Sequence, residues 1–336
     1  MAENVLEIKD LKAYYKILKG DVKALDGVTF NLKRGEILGI AGESGCGKST
    51  LASTLILRKP PLTYMSGEAK LLGTDIMKIG EKAFKKMRLK NISVIPQYAL
   101  DAFSPTKKIK IFLSDLVKEH GIRPNRKFFQ KVEERLEMIN LEPSVLDRYS
   151  IELSGGMKQR MIMIISTILD PDFIIADEIT SALDVSSQRF VANMLVKLRD
   201  EGITGSVIFI THDLSILYQI AERIMIMYAG HFAEIGPTDE IVSNPRHPYT
   251  KALIASLPQV GVQYKDNKLA GIKGTPPHLL NIGEGCRFRF RCPYQTEKCE
   301  KTPQREQISD NHFVSCWNWK EIYTQTKTSG GEADGK

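Results

Sequence analysis

The chain has 336 residues, of which 42% are hydrophobic and 26% charged, and its formal net charge is +7. That length supports one large domain plus a smaller one, and the composition is that of a folded globular protein rather than a disordered or fibrous one. No apolar run approaches the roughly 20 residues that span a bilayer, and the positive charge permits polyphosphate, nucleic-acid or anionic-membrane ligands without selecting among them.

The first segment, "MAENVLEIKDLKAYYK", is charged from its third residue and has no apolar stretch of signal-peptide type. The expectation is a cytosolic chain, where the redox poise opposes structural disulfides. Next comes "EILGIA", an apolar strand-like run, then "GESGCGKST" (Gly42–Thr50), then "TLASTLIL" with helical spacing. Strand, glycine-rich loop and helix in that order are the context of a P-loop. Gly42, Gly45 and Gly47 let the backbone curl so that the amides of the loop, Ser44 and Cys46 included, point at phosphate oxygens. Lys48 reaches the β and γ phosphates, the Ser49 hydroxyl ligates Mg²⁺, and Thr50 continues the helix whose N-terminus favours anions. The bland alternative is a chance glycine-rich turn. Cys46 contributes only its backbone amide and is neither ligand nor nucleophile. The basic run "KAFKKMRLK" (Lys82–Lys90) reads as a solvated helix face.

Further on, "LSGGMKQR" (Leu153–Arg160) opens a helix-like run, so Ser154, Gly155 and Gly156 place a hydroxyl and bare amides at a helix N-terminus, a second anion cradle. It either binds another phosphate or closes over the same phosphate from another subunit. "FIIADE" (Phe173–Glu178) reads as a buried parallel strand with two acids at its C-terminal end. Asp177 is placed to hold Mg²⁺ and Glu178 to polarise an attacking water.

Near the end stand Cys286-x5-Cys292-x6-Cys299-x16-Cys316. The spacing lacks the C-x-x-C knuckle of a zinc ribbon and differs from ferredoxin patterns. Four thiolates suit Zn²⁺ or a [4Fe–4S] cluster, and four unliganded cysteines are the bland alternative. Arg287, Arg289 and Arg291 are expected to lower the thiol pKa values. Phe288, Phe290, Tyr294, Trp317 and Trp319 build either a dry shell or the small core of the segment. The tail "TKTSGGEADGK" reads as disordered.

With these pieces the chain resembles an ABC-type ATPase, the second cradle being that family's signature motif. The resemblance covers roughly residues 5 to 258 and assigns more positions. Gln97 matches the Q-loop glutamine, "SALD" (Ser181–Asp184) the D-loop, His212 the switch histidine that contacts the γ-phosphate, and Tyr15, with Tyr14 as fallback, the aromatic that stacks on adenine. The catalytic set is thus Lys48, Gln97, Glu178 and His212, and the Mg²⁺ set Ser49, Gln97 and Asp177. Ile179 departs from the pattern, which usually has Pro there.

"NPRHPYTKALIASLP" (Asn244–Pro258), "IKGTPPHLLNIGEGCRFRFRCPY" and "HFVSCW" are similar to the dipeptide/oligopeptide importer subfamily and its C-terminal extension. The resemblance implies an α/β P-loop fold, with a RecA-like parallel core, an N-terminal antiparallel β piece and a helical insertion at about 98–168. It divides the chain into an ATPase domain at 1–258, an extension at 259–323 that carries a metal or cluster, and a tail at 324–336. It implies ATP and Mg²⁺, and favours [4Fe–4S] over Zn²⁺, as a structural staple with redox sensing as runner-up. It also implies a cytoplasmic-face location, two transmembrane permease subunits, a second ATPase subunit (a copy or a relative), and indirectly an extracytoplasmic binding protein, with no nucleic acid. The function it implies is ATP hydrolysis that energises import of dipeptides or oligopeptides through an inner-membrane transporter, with an oligosaccharide or nickel cargo, or a non-transport ABC-type ATPase, as the alternatives. A repair ATPase would carry a long coiled coil between Ser49 and Ser154, and a translation factor two motif sets. The full motif set argues against an iron–sulfur electron carrier, and the extension against an exporter.

Overall fold

The computed structural model describes residues 3–57, 59–97, 103–181, 183–257 and 271–323. Position 182 of "SALD", the start of the helical insertion at 98–102, the domain border at 258–270 and the tail at 324–336 lie outside the described residues. In chain order the strands are β1 (Asn4–Ile17), β2 (Gly20–Lys33), β3 (Ile37–Ala41), β4 (Leu62–Leu71), β5 (Thr74–Asp75), β6 (Ile92–Ile95), β7 (Phe173–Asp177), β8 (Val207–Ile210), β9 (Arg223–Tyr228), β10 (His231–Pro237), β11 (Glu306–Ser309) and β12 (His312–Val314). The α-helices are α1 (Lys48–Ile56), α2 (Glu81–Met87), α3 (Ile109–Glu119), α4 (Arg126–Met138), α5 (Gly155–Thr167), α6 (Val185–Asp200), α7 (Leu214–Ile220), α8 (Thr238–Ser243) and α9 (Pro248–Ala255).

The chain divides into two compact units, each assembled from separated segments. One holds the N-terminal residues up to Val5, Leu32–Ile37 and Lys78–Phe209. Its strands run in the order β8-β7-β6, and β6 and β7 are parallel, with Ile92 opposite Phe173 and Ile95 opposite Ala176. Every residue of β7 is buried, as the apolar run "FIIAD" requires of an interior parallel strand. The insertion is helical: it holds α3, α4 and α5, with two short 3-10 turns, Pro143–Asp147 and Ser150–Glu152, between α4 and α5. Asn125 starts α4 by accepting the Phe128 N–H at 2.9 Å, and Arg135, buried on that helix, binds the Thr167 carbonyl and Asp170.

The other unit holds Leu6–Asn31, Leu38–Met77 and the chain from Ile210 onward. A four-stranded sheet in the order β2-β1-β4-β5 is its N-terminal β piece, with β1 antiparallel to β4 from Leu6↔Leu71 to Tyr15↔Leu62. In its second sheet the order is β11-β12-β10-β9-β3. There β3 runs parallel to β9 (Ile40↔Met225), while β10 is antiparallel to both β9 and β12. The extension is therefore built into this sheet, since β12 pairs with β10 through Glu234↔Val314 and Ile235↔Phe313. The joint is polar and dry. The fully buried Glu234 carboxylate accepts the Arg246 and His247 N–H groups, both at 2.9 Å, and lies 2.8 Å from His312 Nε2. Burying such a carboxylate is tolerable only with its lone pairs satisfied in this way.

Candidate nucleotide site and cysteine segment

The phosphate loop follows the buried strand β3 and ends at α1. Two of its glycines are sterically required. Gly42 and Gly47 have φ of 150° and 107°, and a Cβ on them would lie 2.2 Å from the Met227 carbonyl oxygen and 2.3 Å from that of Ala24. Ser44 and Gly45 are exposed, whereas Lys48 is buried. Its ammonium group donates to the carbonyls of Gly42 (2.7 Å) and Glu43 (3.3 Å) of its own loop. The Cys46 thiol is buried beside it at 3.7 Å and burial pushes its pKa up, which favours the neutral thiol. The Cys46 amide, however, is donated to the Glu43 carbonyl at 3.2 Å. On α1, Thr50 Oγ1 lies 3.3 Å from the Tyr15 hydroxyl. Tyr14, one residue earlier and so on the other face of β1, donates instead to Asp26 at 2.6 Å. His212 is exposed just past the end of β8, next to Asp213, which caps α7 by accepting the Ser215 N–H at 2.8 Å.

In the other unit β7 delivers Asp177, buried, and Glu178, half-buried. Glu178 has a φ of 48°, a left-handed conformation that is costly for a non-glycine residue and that clusters at functional positions. Its carboxylate accepts a hydrogen bond from Gln97 Nε2 at 3.1 Å. The loop that follows is tied to the second cradle, because Gln159 on α5 donates to the Ile179 carbonyl at 2.7 Å. Ser154 is the N-cap of α5, its hydroxyl accepting the Met157 N–H at 3.3 Å. Ser154, Gly155 and Gly156 are exposed, and a Cβ on either glycine would meet nothing within 4 Å. Nothing inside the chain therefore demands glycine there. In the D-loop stretch Asp184 accepts from the Ser186 and Ser187 hydroxyls, which hold its carboxyl well below the usual range, and as an N-cap it also accepts the amides of both residues at 3.0 Å each.

The four cysteines depart from expectation. Cys299 is buried and Cys286, Cys292 and Cys316 are half-buried, within electrostatic reach of one another. Each accepts polar hydrogens: Tyr294 N–H reaches Cys292 Sγ at 3.4 Å, while Thr296 Oγ1 and Asn318 Nδ2 stand 3.8 and 4.0 Å from Cys299 Sγ. Backbone amides at Phe288 and Asn318 approach Cys286 and Cys316. The donor set and its N–H surroundings thus fit a thiolate-bound group. Yet among the described residues no three His, Cys, Asp or Glu side chains stand in an arrangement that would hold a metal ion. The arrangement of these side chains therefore gives no support to the [4Fe–4S] or Zn²⁺ ligation expected of Cys286, Cys292, Cys299 and Cys316. Burial pushes the Cys286 thiol up to about 11 and Cys316 to about 12, and raises Cys292. The arginines do not reverse this as expected: Arg287 binds Asp26 and the Ala229 and Lys23 carbonyls, and Arg291 binds Glu43. Nor is the aromatic shell closed. Phe288 is buried against Tyr228 and Tyr249, but Phe290 is 78% exposed and Trp317 39%.

Residues 25–181 match the family described as "ABC transporter", and residues 233–299 match "Oligopeptide/dipeptide transporter, C-terminal region". The chain is 36% identical over 321 residues to the dipeptide transport ATP-binding protein of Caldanaerobacter subterraneus subsp. tengcongensis, covering 94% of this chain and 98% of that one. It is 39% identical over 325 residues to an oligopeptide transport ATP-binding protein of Bacillus subtilis (94% and 97% covered). The chain belongs to the ABC transporter ATPases, in their dipeptide/oligopeptide branch. Among solved structures it is similar to a dimeric ATP-binding cassette in a post-hydrolysis state bound to ADP and phosphate, with a TM-score of 0.60, 25% identity, and 69% of this chain and 98% of that chain covered. The ABC ATPase fold read from the sequence is thereby established, and with it an ATP-hydrolysing enzyme. Membership implies permease partners in the membrane and a dimeric ATPase. Among the described residues no helix is long and apolar enough to cross a membrane. Sequence reasoning missed Glu43, Asp26 and Tyr249, which fasten the nucleotide loop and its surroundings. A charged residue inside a phosphate-binding loop was the one available signal, at Glu43.

Proposed function

We propose that this chain is the ATP-hydrolysing subunit that energises import of dipeptides or oligopeptides from the cytoplasmic face of the membrane. The observation that carries it is the pairing, in one chain, of a phosphate loop with a strained strand-end carboxylate already bonded to a glutamine. The relatives support peptide cargo over oligosaccharide or nickel. In this reading the amides of Gly42–Thr50, including Ser44, Gly45, Cys46 and Gly47, cradle the phosphates and Tyr15 stacks on adenine. Lys48 exchanges its loop carbonyls for the β and γ oxygens. Ser49, Asp177 and Gln97 would hold Mg²⁺, which would supply charge neutralisation to the phosphates. Glu178 orients water and takes its proton as the water oxygen bonds to γ-phosphorus and the bond to the β,γ-bridging oxygen breaks. Lys48 and His212 meet the charge on the γ-phosphate. Ser154, Gly155 and Gly156 close over ATP held by a second ATPase subunit, a copy or a relative, and the open space before the two glycines supports this. One nucleotide then bridges two chains and its binding drives their association. Two permease subunits and, indirectly, an extracytoplasmic binding protein complete the assembly.

Functionally, residues 1–258 are the ATPase and 259–323 the extension, with 324–336 a tail. Cys286, Cys292, Cys299 and Cys316 would hold a [4Fe–4S] cluster, or Zn²⁺, as a staple, a reading supported by thiols within electrostatic reach of one another and by the N–H donors around them. The test of the function is reconstitution in proteoliposomes with permease subunits and the binding protein of a peptide importer. Peptide and binding protein together should stimulate ATP hydrolysis several-fold, whereas stimulation by an oligosaccharide or nickel alone reassigns the cargo. The chain by itself should be largely monomeric and hydrolyse slowly, and a stable nucleotide-free dimer with full activity contradicts the bridging role.

A further inference from the structure

Glu43 is the first residue after Gly42 in the phosphate loop, and every polar group it carries is engaged. Its N–H donates to the Tyr249 hydroxyl at 2.8 Å. Its carbonyl accepts from Lys48 Nζ at 3.3 Å and from the Cys46 N–H at 3.2 Å. Its carboxylate is held in a fork by Arg291, Nη1 to Oε2 at 2.6 Å and Nη2 to Oε1 at 3.0 Å. The Arg291 side chain is only 5% exposed. The rest of its guanidinium is fixed by the Lys273 carbonyl (2.8 Å), the Ile272 carbonyl (3.2 Å) and the Tyr228 hydroxyl (3.1 Å). The arginine thus sits in the extension, one residue before Cys292, and its planar fork ends on the nucleotide loop.

A carboxylate in this loop is a liability for an anion site. Unpaired, it opposes a triphosphate by like-charge repulsion and competes for the Lys48 ammonium group that already touches its own residue's carbonyl. We infer that Arg291 is a positioning residue for ATP: its pair with Glu43 removes that negative charge from the loop and leaves Lys48 to the phosphates. The inference rests on the ATP-binding reading above and extends it by making the C-terminal extension part of the nucleotide affinity rather than a separate staple. It needs no group bound at the cysteines.

The test uses the full chain and equilibrium binding of MgATP, with steady-state hydrolysis alongside. Arg291→Ala should weaken MgATP binding about tenfold or more, the order expected for stranding one member of a half-buried charge pair, and the loss should sit in KM rather than kcat. Adding Glu43→Gln to Arg291→Ala should restore most of the affinity, and Arg291→Lys should restore part of it. If Arg291→Ala fails to fold, Glu43→Gln alone decides: it releases positive charge beside the loop, so affinity should hold or rise, and a fall overturns the inference. Unchanged affinity in Arg291→Ala, or a double variant as weak as the single, also overturns it. A wild-type chain that binds no ATP overturns the nucleotide reading itself.

Discussion

Gln97 and Glu178, 81 residues apart in sequence, meet through one hydrogen bond of 3.1 Å from the amide nitrogen to the carboxylate. The glutamine assigned to the Mg²⁺ set therefore bonds directly to the residue assigned to activate water. Glu178→Gln keeps size and hydrogen-bonding capacity at this spot and removes only the base. It should bind MgATP normally while hydrolysis drops by about two to four orders of magnitude, the range for losing a general base, and it should accumulate an ATP-bound dimer. Rapid-quench turnover beside equilibrium binding separates the two effects, and near-normal turnover ends the assignment of Glu178 as base.

Tyr14 and Tyr15 lie on opposite faces of β1, and that alternation sorts their roles. Tyr15 contacts Thr50 of the loop helix, whereas Tyr14 is committed to Asp26. Tyr15→Ala should weaken ATP binding several-fold with little change in melting temperature. Tyr14→Phe should leave ATP affinity intact and lower stability by about 1 kcal/mol, the usual worth of one such hydrogen bond. Affinity lost in Tyr14→Phe and retained in Tyr15→Ala would exchange the two roles.

His247 sets an acid limit on stability. It caps α9 by accepting the Tyr249 N–H at Nδ1 (3.0 Å), and burial pulls its pKa from the ordinary 6.5 down to about 3. Between those two values the unfolded chain binds a proton that the folded chain refuses. Stability is then complete above pH 6.5 and falls by about 1.4 kcal/mol per pH unit as the pH drops toward 3. His231, also lowered mainly by burial, acts in the same sense. Denaturant midpoints at pH 7, 6 and 5 should fall more steeply for the wild type than for His247→Asn, which keeps a capping side chain without the titration. Parallel curves would remove His247 as the cause.

Protein purified without oxygen should be brown and carry about four irons per chain, the content of one [4Fe–4S] group. Serine at Cys286, Cys292, Cys299 or Cys316 should bleach the colour, and Cys46→Ser should not, because that thiol is sealed beside Lys48. One zinc and no colour hands the site to Zn²⁺, and no metal at all leaves the neutral thiols as they stand. Serine variants that loosen the segment around Arg291 should also lose ATP affinity, an effect that a staple isolated from the loop would not produce.

The sequence alone determined what depends on neighbours along the chain. A strand, a loop with Gly42 and Gly47, and a helix opened by Lys48 follow from local backbone requirements, as do the buried run ending at Asp177 and Glu178 and the Ser154 cap. Each is specified within about a dozen residues by glycine sterics, period and capping chemistry. Tertiary structure decided what depends on which distant segments meet. The Arg287, Arg289 and Arg291 triplet reads from sequence as charge beside cysteines. In the fold Arg287 reaches Asp26 across 261 positions and Arg291 reaches Glu43 across 248. The same is true of β12, which looks like part of a separate extension yet completes a sheet by pairing with β10. Side-chain direction in space is set by packing between segments that share no local pattern, so neither spacing nor composition encodes where a buried guanidinium finds its carboxylate.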